Sequence, residues 1–413
     1  MAADTPTPGA PLKFDLGALG SAMPELRRDP YPIYRMLRAI APVLPTPNGV
    51  WLVTRHAEGG AILVDKRFLT VDIARMGGAA QLSDSEAIRA AREVMGLTML
   101  FMDPPAHGRI RGLVSKAFSP RMVEALRPRI AAIADQLLSQ FTPGRDIDLI
   151  KEFAYPLPVI VIAEMLGVPA RDRDMFRRWA NNLAPLIDFA QDMAIIDLAM
   201  KSMEEARDYL TALVEARRKQ PAGDLVSALI AAEESGDRLT PAEMLANIVL
   251  LLVAGHETTA NLIGNGMRAL LENPAELEKL RRDPALIDSA VEECLRYDSP
   301  VQATGRRATE PVEVAGATIP KDAHAIVIIG ACNRDPDRFS DPDRFDISRR
   351  DNDHLAFGGG IHYCLGANLA RAEARIAIAA LAARFPNLAL AGGKLEVRGM
   401  FNLRGVKALP VRI

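Results

Sequence analysis

At 413 residues the chain has room for two or three domains, and 49% apolar against 25% charged residues is the balance of a globular protein with a large core. A formal charge of −2 excludes a global pull toward nucleic acid or an anionic membrane surface. The three cysteines, Cys294, Cys332 and Cys364, are too few and too oddly numbered for a disulfide scaffold and fit a reducing cytosol.

The opening "MAADTPTPGAPLKF" lacks the basic and apolar regions of a signal peptide, so residues 1–24 are expected to be a short, poorly ordered tail. "GVWLVTR" (49–55) and "FLTVDIA" (68–74) predict strands with short helices between them. From about 85 to 290 the pattern is largely helical, broken at "DPPAH" (103–107) and "KQPAGD" (219–224). The clearest helix starts at "TPAE", with Thr240 as N-cap, Pro241 in first position and Glu243 closing a capping box; it runs to Pro274, which stops it. At about 30 residues it spans on the order of 45 Å and must cross the core. Its most apolar run, "NIVLLLVAG", meets His256 and Glu257 well short of the roughly 18–20 apolar residues of a membrane helix. A second helix follows "DP" (283–284) and carries "AVEECLRY". "VEVAGATIPKDAHAIVII" (312–329) predicts a strand pair around a turn. A last helix follows Cys364. The expected fold class is mainly α with small β-sheets gathered toward the chain ends.

Cys364 lies in "FGGGIHYCLG" (357–366), at a helix start where free N–H groups and the positive dipole end favour an anion. Gly358, Gly359 and Gly360 permit a tight reversal, Gly366 clears a space against the helix for a flat cofactor, and Phe357 is placed to shield the sulfur. A lone cysteine is more often a buried core residue. Zinc or an iron–sulfur cluster needs three or four nearby ligands, which are absent, whereas a single thiolate suffices for heme, which brings four nitrogens of its own.

The segment resembles the heme-binding signature of the cytochrome P450 superfamily, Phe-Gly-x-Gly-x-His-x-Cys-x-Gly, with every defined position filled. The soluble bacterial type is the nearest match, over residues 25–413. The resemblance implies one heme domain of the P450 fold, a mainly helical triangular prism with heme b between the long central helix and the cysteine helix, its iron held by the Cys364 thiolate.

"AGHETT" (254–259) buries a carboxylate and two alcohols in an apolar helix, which is costly without partners or a task. Thr258 can bond back to the Ala254 carbonyl, and Gly255 leaves a notch. Glu257 and Thr258 side by side make a proton relay for cleaving dioxygen; equally, Thr258 and Thr259 satisfy the backbone and Glu257 pairs with a distant arginine. The likeness to the family's acid–alcohol motif implies the relay.

The same resemblance implies a buried Glu293–Arg296 pair completed by Arg344 of "PDRF" (342–345), and heme-propionate contacts from His107, Arg111, Arg306 and His362, with Arg307 at the surface. Cys294 and Cys332 are expected to be small core fillers. Family pocket regions hold Met76, Met95, Met99, Phe101, Met102, Leu186, Met400 and Phe401, which suits an adaptable apolar substrate; Gln302, Thr304 and Asn402 offer polar contacts. No Gly-rich dinucleotide motif is present, so electrons must come from partners. The family implies a ferredoxin and a ferredoxin reductase, met by Arg109, Lys116, Arg121 and Arg371. The implied activity is monooxygenation of an apolar small-molecule substrate with O2, in the cytoplasm, without nucleic acid or membrane. The same fold also supports desaturation or oxidative coupling, and a heme sensor or carrier without turnover is the rival from another class.

Overall fold

Pro241 to Glu272 form the helix on which the other elements are laid. The Thr240 hydroxyl accepts the Glu243 N–H at 3.1 Å and the Glu243 carboxylate accepts the Thr240 N–H at 2.8 Å, the reciprocal cap expected of "TPAE". In this computed structural model the described residues are 28–70, 86–187, 193–234, 239–393, 395–397 and 402–413. The expected tail, 1–24, lies outside them.

In chain order the helices are α1 (Tyr31–Ile40), α2 (His56–Val64), α3 (Glu86–Gly96), α4 (Ala106–Ala117), α5 (Pro120–Leu138), α6 (Pro156–Met165), α7 (Arg173–Leu183), α8 (Met193–Lys219), α9 (Leu225–Glu234), α10 (Pro241–Glu272), α11 (Pro274–Arg282), α12 (Ile287–Tyr297), α13 (Ile329–Cys332) and α14 (Ala367–Arg384). The strands are β1 (Val43–Pro45), β2 (Val50–Val53), β3 (Phe68–Leu69), β4 (Asp146–Asp148), β5 (Thr304–Ala308), β6 (Val312–Val314), β7 (Ala317–Ile319), β8 (His324–Val327), β9 (Ala389–Leu390) and β10 (Pro410–Arg412).

Helix α10 packs against α6, α7, α12 and α14, and Ile248, Leu252, Ile263, Met267 and Leu270 have no solvent exposure. By length and composition alone α10 could cross a membrane, contrary to the expectation from its longest apolar run; 83% of its most apolar stretch is nevertheless buried in this core. Its scattered polar residues interrupt the run without making the helix polar. A Cβ on Gly266 would meet Cys294 Sγ at 2.9 Å, so this glycine lets α12 close on α10. Cys294 and Cys332 are both buried core fillers, as expected.

The main sheet has strand order β1-β2-β8-β5-β3, with β2 and β8 parallel and Val50 opposite His324. A smaller sheet runs β4-β10-β9, and β6-β7 is a hairpin. Pro274 follows the end of α10 as expected, and it also opens α11, because its fixed φ suits the first turn of a helix. Two expectations need correction. Residues 312–329 are not one strand pair: 312–319 form the hairpin, while β8 departs to the main sheet between β2 and β5. β4 also places a strand in the middle of the chain, where its partner β10 lies at the far end of the sequence.

Candidate active site

The cysteine loop reverses at Gly358 (φ +69°) and Gly360 (φ +63°), while Gly359 is extended. A Cβ on Gly360 would lie 2.6 Å from the Leu63 carbonyl, so the loop is seated directly on α2. The Cys364 N–H donates to the Phe357 carbonyl at 2.9 Å and closes the reversal. Cys364 stands just ahead of the first helical residue, Ala367, with Gly366 as N-cap. Burial pushes the thiol up from its ordinary value; the Gly366 N–H, Arg111 and Arg371 pull the other way without overcoming it. A bound metal cation would favour the thiolate form here. Phe357 stacks under the Arg371 guanidinium, 4.5 Å from ring centre. Among the described residues no group of three or more His, Cys, Asp or Glu is placed to hold a metal ion, which leaves single-thiolate ligation as the chemistry that fits.

The four expected propionate contacts converge. His107 on α4 and His362 in the cysteine loop stack with ring centres 4.4 Å apart, and the Nε2 atoms of both are buried without a protein partner. Arg306 on β5 is buried, its guanidinium donating to the Gly305 carbonyl at 2.8 Å. Arg111 donates to the Tyr363 carbonyl at 2.5 Å. Burial, then Arg306, His107 and Arg111, drive His362 down to about 3; burial and Arg111 lower His107. Burial takes Arg306 down to about 10, opposed only by Asp103. Two arginines beside two buried imidazoles whose Nε2 atoms lack protein partners make a site suited to anions, as the two heme propionates would be. The residues fit the group. Arg307, as expected, is turned outward and pairs with Asp322 at 2.8 Å.

On α10 the Thr258 hydroxyl donates to the Ala254 carbonyl at 2.6 Å. A side chain on Gly255 would meet only Ile162, at 4.0 Å, so the notch is open. Glu257 is buried, with its Oε1 3.4 Å from Asn261 Nδ2.

The Glu293–Arg296 pair is fully buried, with Nε–Oε2 2.7 Å and a second contact at 2.8 Å. Its third member is Arg349 and not Arg344. Arg349 Nε donates to Glu293 Oε2 at 3.2 Å, joined by Asn352 at 3.1 Å and the Asp346 N–H at 2.9 Å. The Arg344 side chain is exposed beside Asp346, and only its carbonyl serves Arg296.

Met95 and Leu186 line a small apolar cavity together with Met203, Ala246, Leu250 and Val253. Thr98 at its edge donates to the Met95 carbonyl at 2.7 Å. Met99 is buried and Met102 packs against the core, whereas Met76, Met400 and Phe401 lie outside the described residues. Asn247, which the sequence did not single out, binds the Met99 N–H at 3.0 Å and the Leu97 carbonyl at 3.1 Å, fixing this wall to α10. Gln302 is buried, its amide donating to the Ser299 carbonyl at 2.7 Å, and it packs on Gly330. Of the four basic residues expected to meet a redox partner, Arg109 pairs with Glu243 and Arg371 with Glu292, leaving Lys116 and Arg121 exposed.

The profile of the cytochrome P450 family matches residues 83–394. The chain belongs to the cytochrome P450 family. It is similar to cytochrome P450 monooxygenase PikC of Streptomyces venezuelae, 44% identical over 98% of this chain and 95% of that one. It is also similar to the vitamin D(3) 25-hydroxylase of Pseudonocardia autotrophica, 44% identical over 93% and 94%. The crystal structure of P450BioI in complex with hexadec-9Z-enoic acid ligated acyl carrier protein superposes with a TM-score of 0.88 at 39% identity, covering 94% of this chain and 99% of that one. This P450 is thus an oxidoreductase of the bacterial monooxygenase type with the P450 fold, and the family's cofactor is heme with a cysteine thiolate on the iron.

Proposed function

We propose that residues 25–413 form a single heme domain that inserts one oxygen atom from O2 into an apolar organic substrate, with Cys364 as the iron's ligand. The observation that carries this reading is the cluster of His107, His362, Arg306 and Arg111 beside the cysteine loop, its two buried ring nitrogens waiting for acceptors. When bound, heme supplies dioxygen activation and the redox change, and the thiolate's electron donation favours O–O cleavage. The protein's part is the rest. The four propionate contacts and the Gly366 gap orient the flat group. Thr258, hydrogen-bonded to Ala254, and Glu257 hold the protons next to the Gly255 notch, inside a helix that keeps bulk water away.

An apolar wall without a charged group at the described cavity supports a substrate held by shape and burial, and Met95 and Met203 can repack around it. The lining residues on α10 are Ala246, Val249, Leu250 and Val253. The vitamin D(3) and hexadec-9Z-enoic acid named for two relatives are apolar too.

Electrons come from a ferredoxin and its reductase in the cytoplasm. Around the cysteine loop Ile361, Tyr363 and Val64 are exposed, and Lys116 and Arg121 add positive charge near the α4–α5 junction, a face suited to a small acidic protein. The test is spectroscopic first. The dithionite-reduced protein with carbon monoxide is expected to show the strongly red-shifted Soret band of thiolate ligation, and Cys364→Ala to lose it. With a ferredoxin and reductase, substrate is expected to drive NADPH consumption and yield an oxygenated product, and Lys116→Glu with Arg121→Glu to raise the ferredoxin KM. Heme binding without substrate-driven turnover refutes the catalytic reading.

A further inference from the structure

Glu292 precedes the glutamate of the buried pair, yet it serves a separate set of partners around the cysteine loop. Arg371 on α14 grips it with both arms of its fork, Nε to Oε1 at 2.7 Å and Nη2 to Oε2 at 2.8 Å. His354 Nε2 lies 3.1 Å from Oε2, while His354 Nδ1 accepts the Ala356 N–H at 3.2 Å. Because Nδ1 accepts, the ring proton sits on Nε2 and is donated to Glu292. One carboxylate therefore ties down the chain entering the cysteine loop, through His354 and Ala356, and the chain leaving it, through Arg371. Between them lie the Phe357 ring under Arg371 and the Tyr363 hydroxyl, 3.3 Å from Arg371. Arg375 closes the group, 2.9 Å from Asp288 and 3.8 Å from Glu292. With His354 neutral, two arginines and two carboxylates leave no net charge. Burial alone would raise the Glu292 carboxyl, but His354 and Arg371 outweigh it and hold it at about 2, so it stays ionised.

We propose that Glu292 is a positioning residue for the thiolate ligand, holding both sides of the Cys364 loop and cancelling the Arg371 charge behind the sulfur. It thereby sets how much electron density the sulfur gives to the iron. A positive charge at Arg371, which stands over the Phe357 ring and reaches the hydroxyl of Tyr363 next to Cys364, favours electron density staying on sulfur and favours the reduced heme; Glu292 offsets both. The inference rests on Cys364 being the ligand.

The experiment is a spectroelectrochemical titration of the heme in four holoenzymes: wild type, Glu292→Gln, Arg371→Gln and the double variant. Each is first reduced under carbon monoxide. A wild type without the thiolate band removes the ligand assignment and this inference with it; with the band present, only the potentials are at stake. Glu292→Gln leaves a net charge of about +1 behind the sulfur and is expected to shift the midpoint potential upward. Arg371→Gln leaves about −1 and is expected to shift it downward, and the double variant to return to the wild-type value. A loop merely loosened by either change would move both single variants the same way. Shifts of the same sign, or none, overturn the proposal. Should Glu292→Gln fail to take up heme, Arg371→Gln decides alone: a potential at or above wild type refutes it.

Discussion

Arg349→Ala and Arg344→Ala separate two arginines that lie in the same loop and differ entirely in their surroundings. Arg349 is nearly buried and donates to a fully buried carboxylate at 3.2 Å, to the Ser340 carbonyl at 2.9 Å and to the Asp341 carbonyl at 3.3 Å. Losing one charge-assisted bond and two ordinary ones is expected to cost about 2–3 kcal/mol, moderated because Arg296 still neutralises Glu293. Arg344 is 62% exposed and 3.4 Å from Asp346, an ion pair worth at most about 0.5 kcal/mol. Arg296→Met is the upper reference. It removes the main partner of a buried carboxylate and the donor to the carbonyls of Asn333, Pro342 and Arg344, and is expected to cost about 3–5 kcal/mol. For a chain of this length 1 kcal/mol corresponds to roughly 1–2 °C, since the shift per kcal/mol shrinks as chains grow. The assay is thermal unfolding of the holoenzymes followed by loss of the Soret band. The expected order is Arg296→Met lowest, Arg349→Ala a few degrees below wild type, and Arg344→Ala within a degree of it. If Arg344→Ala falls as far as Arg349→Ala, the assignment of the third partner is wrong.

Thr258→Ala is expected to keep heme bound, lower product formation on the order of 10²-fold and divert NADPH-derived electrons to peroxide; unchanged product per NADPH removes its role. His362 and His107 are held neutral in the heme-free protein, His362 down to about 3, while the unfolded chain takes up protons near 6.5. The unfolded state then binds more protons below that value, so the apoprotein loses stability as the pH falls from about 6.5 toward 3. Urea midpoints at pH 7.5 and 5.5 are expected to fall with pH in the apoprotein, less in His362→Gln, and less again once heme supplies the propionates. Glu373 on α14 is buried with an unpartnered oxygen, and burial raises its carboxyl well above the ordinary value. Its contribution is lost as the pH rises above about 4.5, so Glu373→Gln is expected to be at least as stable as wild type at pH 8. A marked loss there would show that the ionised form has a partner.

Features carried by adjacent residues were legible before the structure. "TPAE" contains both halves of its cap, and "FGGGIHYCLG" contains the glycines its reversal needs and the cysteine it presents. The propionate set was legible only through resemblance, since nothing in "HGRIR" or "GRRATE" says that α4 and β5 meet. What the sequence concealed was the choice among partners far along the chain. Arg109 looked like a free surface cation, but Glu243, more than a hundred residues away, captures it. Arg344 and Arg349 have equal chemistry, and only the path of the loop decides which side chain turns inward. β4 is a three-residue strand that takes shape only because β10 returns beside it.

The seating of the cysteine loop on α2 has a consequence for the timing of assembly. Gly360 rests on the carbonyl of Leu63, and β2 finds its parallel neighbour only in β8, so both contacts join stretches made at opposite ends of synthesis. At about 5–20 residues per second, the first sheet strands wait on the order of ten seconds or more for the segment that completes them. Cys364 emerges later still. A nascent chain stopped before the cysteine loop would hold most of the helices and would lack the iron ligand proposed above. On that reading heme capture waits until the two ends of the chain have found each other.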